Sequence, residues 1–211
     1  MSVLSSREKI LQKIKQVSSR RNRTANLVDY SNEQIYQPVG DDLLEVFVRE
    51  AEAVSAQVVV CEDETALWNE IKNMMQLKGI QSLYSRVTEY MLKMEELNIP
   101  HTSNGKIFSN IEAGLTACEC LVARTGTVLV TSASESGRQL HVYPPVHMII
   151  ADKSQLVAYL NDGIELVQKK YAGNLPSQIV HITGPSRTAD IEKTLVMGAH
   201  GPKELIIFVK S

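Results

Sequence analysis

The sequence predicts an α/β fold with three layers, in which helices cover both faces of a mostly parallel sheet. The main observation is the alternation of strand-like and helix-like segments from Asp41 to Leu97, which is typical of parallel sheets. The second is size and composition, because 211 residues that are 44% hydrophobic can bury a full core in one domain. The third is the apolar run Leu205–Val209, which is predicted to be a further strand.

An N-terminal arm, residues 1–40, is predicted to precede the domain of residues 41–211. Residues 5–18 are expected to form an amphipathic helix, because Ser5 and Glu8 fit a capping box and apolar side chains share one face. Residues 18–40 are polar and are interpreted as a linker. A lone helix of this length is marginally stable in water, so we expect it to dock on its own domain, on a partner or on a second copy.

The first part of the domain has clear start and stop signals. Asp41 and Asp42 are expected to start a helix that reaches Val54, and Gly79 is expected to cap the end of a later one. The predicted elements here are a helix over 41–54, a strand over 57–61, a helix over 63–77, a strand over 80–84 and a helix over 87–97.

The second part is less regular. Residues 111–124 are rich in small side chains and are predicted to be helical despite Gly114. A long amphipathic helix capped by Ser154 is predicted over 154–170. The predicted strands are 128–131, 148–150, 179–182 and 205–209, and an amphipathic helical turn is expected to begin at Ser186–Thr188.

Composition excludes several classes of function. The net charge is −2 and no basic stripe with aromatic residues is present, so we expect no nucleic-acid binding. No apolar run reaches about 18 residues, so we expect no membrane span. The N-terminus lacks an apolar secretory segment, and three cysteines give no disulfide framework. These features favour a cytoplasmic protein.

Common catalytic and metal motifs are absent from the sequence. No GxSxG, GxxxxGK[ST] or GxGxxG pattern occurs, and the five histidines show no zinc-binding spacing, so we expect no metal site. Cys118 and Cys120 are predicted to be buried thiols. His141 and His147 flank a Pro-Pro loop and are either core residues or ligands. Glu112 and Glu119 are either helix-surface charges or carboxylate nucleophiles for acyl transfer.

The stretch from Gln178 to Pro202 contains the most distinctive motif. Gly184-Pro185-Ser186 is predicted to end a strand and to start a helix. These residues either cap that helix or present its free backbone N–H groups to an anion. Arg187 is unfavourable at a helix N-terminus, so we expect a bound anion or an acid such as Asp190 or Glu192 to compensate its charge. We expect this site at the carboxyl edge of the sheet.

Four motifs together resemble the LUD-domain family, which includes the lactate-utilization protein C group. The motifs are Thr125-Gly126-Thr127-Val128-Leu129-Val130, Arg138 with Pro144-Pro145-Val146-His147-Met148-Ile149-Ile150, Gly184-Pro185-Ser186-Arg187-Thr188-Ala189-Asp190-Ile191-Glu192, and Gly198-Ala199-His200-Gly201-Pro202. One departure is Arg124, which stands where the family usually has an acidic residue.

The resemblance implies a fold related to the NagB/RpiA/CoA transferase-like superfamily and a role in oxidising L-lactate to pyruvate with iron–sulfur partner subunits. Because the sequence lacks cluster-binding cysteine motifs, we expect the chain's own motifs to hold no cofactor. Two alternative functions are a stand-alone transferase or ligase that uses Glu112 or Glu119, and a non-catalytic scaffold. The sequence also leaves open assembly into a homo-oligomer. The resemblance and the residue patterns together predict that a small anion is bound by the following residues: Thr125, Gly126, Thr127, Arg138, Gly184, Pro185, Ser186, Arg187, Thr188, Asp190, His200 and Gly201.

Overall fold

The computed structural model describes residues 5–18, 38–103, 110–188 and 196–211. The chain divides into two units, Met1–Pro38 and Val39–Ser211. The first contains helix α1 (Ser6–Ser18), and the predicted capping box is present because the backbone N–H of Ser5 donates to Glu8 at 2.8 Å. The rest of the predicted arm lies almost entirely outside the described residues, so its docking stays a prediction.

A six-stranded sheet forms the centre of the second unit, and every pairing within it is parallel. This confirms the mostly parallel sheet that the sequence predicts. In spatial order its strands are β1 (Gln57–Cys61), β12 (Glu204–Lys210), β7 (Val146–Asp152), β4 (Ala113–Ala117), β2 (Leu83–Tyr84) and β3 (His101–Thr102).

Three helices follow the predicted signals closely. Helix α2 (Leu43–Ala53) begins after Asp42, whose carboxylate accepts from two backbone N–H groups. Helix α3 (Glu64–Lys78) ends at Gly79, which adopts the left-handed conformation expected of a helix C-cap. Helix α4 (Thr88–Glu96) is the third. No helix within the described residues has the length and hydrophobicity needed to cross a membrane.

The helix predicted over residues 111–124 is wrong, because this segment forms β4 and then β5 (Cys120–Val122). Strand β4 lies in the interior of the sheet and is buried on both faces, so it lacks the alternation by which a half-buried strand is recognised. Gly114 is needed there because a Cβ atom would lie 2.7 Å from Cγ of Pro144. Small residues in this segment therefore reflect close packing across a strand.

A second sheet of four strands was not predicted. It contains β8 (Leu156–Val157), β5, β6 (Thr127–Thr131) and β9 (Ile179–Ile182), in that order. The helix predicted over 154–170 is therefore too long, since α5 spans only Leu160–Lys170. Its N-terminus is capped by Asp162, which accepts from the backbone N–H of Tyr159 at 2.9 Å, and not by Ser154.

The core lies in layers on either side of the six-stranded sheet. One face packs against α3 and α4, where Trp68 and Ile71 join Met148 and Phe208. The other face packs against α2 and the second sheet, where Phe47 joins a buried group of side chains from β6, β7 and β12. Helix α5 packs on the second sheet from its other side. The layer on this second face, which is predicted to be helical, therefore contains the second sheet as well as α2.

The segment after β9 differs from the predicted helix start. Residues Arg187–Thr188 form strand β10, which pairs antiparallel with β11 (Val196–Met197). The predicted helix start at Ser186–Thr188 is therefore wrong. The expected continuation of that helix, with Asp190 and Glu192, lies outside the described residues.

Candidate functional site

A chain of three threonine hydroxyls joins the first motif to the end of β9. Oγ1 of Thr127 lies 2.8 Å from Oγ1 of Thr125 and 2.8 Å from Oγ1 of Thr183. Thr127 is the first residue of β6 and is buried, whereas Thr125 is exposed. These contacts hold the Thr125–Thr127 turn beside the Gly184 turn, so the structure brings these two predicted parts together.

Gly126 uses its freedom of conformation to pack against helix α2. Its φ is +57°, and a Cβ atom would lie 2.2 Å from the backbone nitrogen of Ala51. Gly126 is one of the residues predicted from sequence to contact a ligand. In the structure, the group that approaches is the backbone of a helix.

The Gly184 turn and Arg187 contact the C-terminal end of the same helix. Arg187 donates from Nη2 to the carbonyl of Val54 at 2.6 Å, and Val54 is the C-cap residue of α2. Gly184, with φ +76°, approaches so closely that a Cβ atom would lie 2.2 Å from that oxygen. A guanidinium at a helix C-terminus is favourable because the dipole there is negative. The charge of Arg187 is thus compensated by a helix end, a partner that was not considered from sequence.

Arg187→Ala should lower the free energy of unfolding by about 1 kcal/mol, because it removes a charge-assisted bond at a partly solvated helix end. Denaturant unfolding measures this change. The matched control is Arg49→Ala on the same helix, whose side chain is 65% exposed and forms an ion pair with the neighbouring Glu50. That exposed pair should contribute less than about 0.5 kcal/mol. Equal stability of the two variants would mean that the bond to Val54 does not stabilise the helix end.

The third and fourth motifs meet at a tight backbone contact. The backbone N–H of Ser186 donates to the carbonyl of Pro202 at 2.9 Å, and that of Gly198 donates to the carbonyl of Ser186 at 2.9 Å. A Cβ atom on Gly201 would lie 3.0 Å from Cβ of Ser186, so glycine permits this approach. The two motifs are therefore neighbours in the fold.

Both motifs lie at the amino edge of the six-stranded sheet and not at the carboxyl edge that we expected. The backbone N–H groups of Lys203 and Glu204 donate to the carbonyl of Pro145, where β12 and β7 begin. Pro185 is buried beside this edge, and Thr188 is half-buried in β10. His200 is exposed. The expectation failed because β9 belongs to the second sheet and ends near the amino end of β1.

Arg138 is separated from the other predicted ligand-binding residues. Its Nη2 donates to Oγ of Ser177, just before β9 begins. In the register of the second sheet, Thr131 pairs with Ile179 at this end, and Val128 pairs with Ile182 at the other. Arg138 therefore lies about one strand length, on the order of 15 Å, from the threonine chain.

The two carboxylates considered as nucleophiles both accept hydrogen bonds from other residues of the chain. Glu119 is buried and accepts from Thr131 at 2.6 Å, Lys170 at 2.8 Å and Tyr171 at 2.8 Å. Burial raises the pKa of Glu119, but these hydrogen bonds outweigh it and hold the pKa below its usual value. Glu112 is exposed and accepts from the backbone N–H of Gln81 at 2.7 Å.

A pair of buried histidines lies between the loop 132–145 and the six-stranded sheet. The ring centroids of His141 and His147 are 5.5 Å apart, and Nε2 of His147 lies 2.9 Å from Oγ1 of Thr116 on β4. Burial lowers the pKa of His141 to about 4 and that of His147 to about 3. Both imidazoles are therefore neutral at pH 7.

Several buried polar atoms around this pair have no hydrogen-bond partner among the described residues. They are both ring nitrogens of His141, Nδ1 of His147 and the hydroxyls of Ser134 and Ser136. An unsatisfied buried group costs about 1–3 kcal/mol, so a dry cluster of this kind would cancel much of the stability of a domain. We therefore expect water or a ligand to occupy it. The Pro-Pro loop between His141 and His147 is the one sequence feature that points to this cluster.

A separate cavity of about 160 Å³ lies at the carboxyl ends of β7 and β12. It contains two ion pairs, Lys93 with Glu64 at 3.6 Å and Lys210 with Asp152 at 3.4 Å. None of the predicted ligand-binding residues that the structure describes lines it. Sequence reasoning missed this cavity because its walls come from separate elements: Glu64, Leu67, Trp68, Glu89, Tyr90, Lys93, Ile150, Ala151, Asp152, Gln155 and Lys210.

Known proteins resemble this chain in sequence and in fold. A family profile described as the LUD domain matches residues 44–209. An uncharacterized protein of Neisseria meningitidis is 40% identical over 102 residues, which are 48% of this chain and 43% of that protein. Lactate utilization protein C of Bacillus subtilis is 36% identical over 101 residues, which are 47% of this chain and 42% of that protein. The chain spans less than half the length of these curated relatives.

A crystal structure also shares the fold. It is that of a DUF162 family protein from Deinococcus radiodurans, which superimposes with a TM-score of 0.62 over 82% of this chain and 100% of that chain. The sequence identity is 17%, so this similarity concerns the fold alone.

Proposed function

The chain belongs to the LUD domain family, and from this membership we propose that it is a cytoplasmic subunit of a lactate-utilization system. In this role it supports the oxidation of L-lactate to pyruvate together with iron–sulfur partner subunits, and it binds a small anionic ligand or cofactor. The observation that carries the proposal is the match of the family over residues 44–209, joined by the similarity to lactate utilization protein C.

The cysteines support a division of labour between subunits. An iron–sulfur cluster is commonly held by four thiolates, and this chain has three cysteines. Cys61, Cys118 and Cys120 are buried free thiols, and burial raises the pKa of each, which disfavours the thiolate that binds a metal. We therefore assign the redox centres to the partner subunits. We also propose the boundary near residue 40, with residues 1–40 as an arm that docks on the domain, on a partner or on a second copy.

Deletion of the gene tests the pathway. The deletion strain should fail to grow on L-lactate as sole carbon source and should lose lactate-dependent oxygen uptake. Growth on pyruvate should be normal, because the defect lies before that product. The wild-type gene should restore both properties. Unchanged growth and respiration on L-lactate after deletion would overturn the proposal.

The rival function, a stand-alone transferase or ligase, requires an accessible nucleophile. The enclosure of Glu119 and the bond of Glu112 to Gln81 weigh against it. We expect no covalent acyl adduct on either residue when the protein is incubated with acyl-CoA, as measured by intact-mass and peptide mass spectrometry. An adduct that Glu119→Gln or Glu112→Gln abolishes would establish the rival instead.

A further inference from the structure

The buried polar atoms around the two histidines form a ready-made set of hydrogen-bonding groups. We call Ser134, Ser136, His141 and His147 the histidine cluster. His147 is 0% exposed, Ser136 is 0% exposed and His141 is 6% exposed. Three ring nitrogens and two hydroxyls have no partner within the part of the chain that the structure describes. Polar groups this deeply buried are normally satisfied, so the cluster is built to hold something.

The loop is held in place at three points around the cluster. The carboxylate of Glu135 accepts from the backbone N–H of Thr88 at 2.6 Å, at the start of α4. Arg138 is bonded to Ser177, and the carbonyl of Pro145 accepts from the start of β12. The turn Ser134–Gly137 is closed by a backbone bond of 3.0 Å. The unpartnered groups are thus fixed by contacts made elsewhere in the loop.

The charges around the cluster favour an anion. A guanidinium nitrogen of Arg86 lies 3.4 Å from where a Cβ of Gly137 would be, which places a cation against the turn. The nearest carboxylate of the loop, Glu135, is occupied by Thr88. Burial lowers the pKa of both histidines, and the ring of His141 lowers that of His147 further, while the nearby backbone of Gly137 opposes the shift at His141; no carboxylate contributes. Strand β4 supplies only the neutral hydroxyl of Thr116.

We propose that the histidine cluster binds a small carboxylate and that a proton is taken up with it. The carboxylate accepts hydrogen bonds from the serine hydroxyls and from imidazole N–H groups, and it displaces water from the cluster. This inference rests on the proposed function, because it assigns a place to the small anion of that proposal.

The proton follows from the donors that the cluster offers. A neutral imidazole has one N–H and one lone pair. In the tautomer whose Nε2–H donates to Thr116, Nδ1 of His147 presents a lone pair, which repels a carboxylate oxygen. In the other tautomer Nδ1 is already a donor, but the charge of the carboxylate would be buried without compensation, which is costly. Protonation turns Nδ1 into a donor, and the bound negative charge favours the imidazolium form. An anion and a proton therefore enter the buried cluster together, and no net charge is buried.

Isothermal titration calorimetry of the full chain tests this proposal, with L-lactate, pyruvate and acetate as probes. Runs at pH 7 in HEPES and in Tris separate proton uptake from binding, because the observed heat then depends on the ionisation heat of the buffer. We expect uptake of about one proton per carboxylate, and a Kd that rises about tenfold for each pH unit above neutrality.

Two glutamine variants locate the site. His147→Gln keeps a polar side chain of similar reach but cannot take up a proton, so binding should weaken at least about tenfold. His141→Gln is the second variant, to be used if His147→Gln fails to fold. The control is His181→Gln, which changes an exposed histidine on β9 and should bind as the wild type does.

Three results would overturn the proposal: no binding of any probe, binding without proton uptake, or full binding by both cluster variants. The deletion experiment tests the proposed pathway independently of these binding experiments. If the wild-type protein binds none of the probes but its deletion abolishes growth on L-lactate, the cluster site is refuted and the proposed function is kept. Proton-coupled binding in a protein whose deletion leaves growth on lactate intact would do the reverse.

Discussion

Acidification from pH 7 to pH 4 should lower the free energy of unfolding by several kcal/mol, and His141 and His147 should account for most of it. In the unfolded chain both imidazoles have a pKa near 6.5. In the fold, burial lowers these pKa values to about 4 and about 3. Between pH 6.5 and the folded values the unfolded state binds more protons, so stability falls as the pH falls. The expected loss is on the order of 3 kcal/mol per histidine at pH 4.

Urea unfolding at a series of pH values between 7 and 4 measures this loss. Carboxylates such as Glu119, whose pKa is lowered in the fold, also contribute to acid lability, but they do so in every variant. The double variant His141→Gln/His147→Gln should therefore show a much shallower dependence on pH than the wild type. His181→Gln should keep the wild-type slope, because that histidine is exposed. A double variant with the wild-type slope would mean that the pair does not titrate between these limits.

Gly126→Ala should destabilise the protein by about 3–4 kcal/mol, the sum of a left-handed backbone and a steric collision. The added Cβ would lie 2.2 Å from the nitrogen of Ala51 and 2.5 Å from the carbonyl carbon of Glu50. These are backbone atoms of α2, which cannot move aside as a flexible side chain would. Helix α2 would have to shift, and with it Phe47, which is fully buried against the sheets.

Gly79→Ala is the matched control. Gly79 also has a left-handed backbone, with φ +66°, but no atom lies within 4 Å of the Cβ that alanine would add. Its substitution should cost about 1 kcal/mol, the price of the backbone conformation alone. Chemical denaturation of both variants gives the difference. Equal losses at the two positions would show that α2 yields easily and that its contact with the turn is not rigid.

Local signals explain why part of the fold could be predicted from sequence. Asp63 and Gly79 bound α3 because one accepts hydrogen bonds from free N–H groups and the other adopts a left-handed conformation that few residues tolerate. Strand β4 carries no such signal, since a strand buried on both faces resembles a small-residue helix. Ser154 was mistaken for a helix cap because the short strand β8 separates it from α5.

The candidate site depends on contacts that are distant in sequence. The bond of Arg187 to Val54 joins residues 133 positions apart, and no local pattern announces it. The resemblance to a family identified the motifs, but not the edge of the sheet at which they lie. His141 and His147 are six positions apart, which is no recognised spacing for a shared site. Their pairing depends on how the loop folds back over β4.

The place of β12 between β1 and β7 has a consequence for biosynthesis. The ribosome makes β12 last among these strands, yet β1 pairs with no other strand of the six-stranded sheet. The edge of β1 and the edge of β7 that later contact β12 must therefore remain unpaired until residues 204–210 have left the ribosome. During that interval the nascent chain exposes open strand edges, which favour aggregation. The six-stranded sheet can therefore be completed only after its last strand in the sequence has been translated.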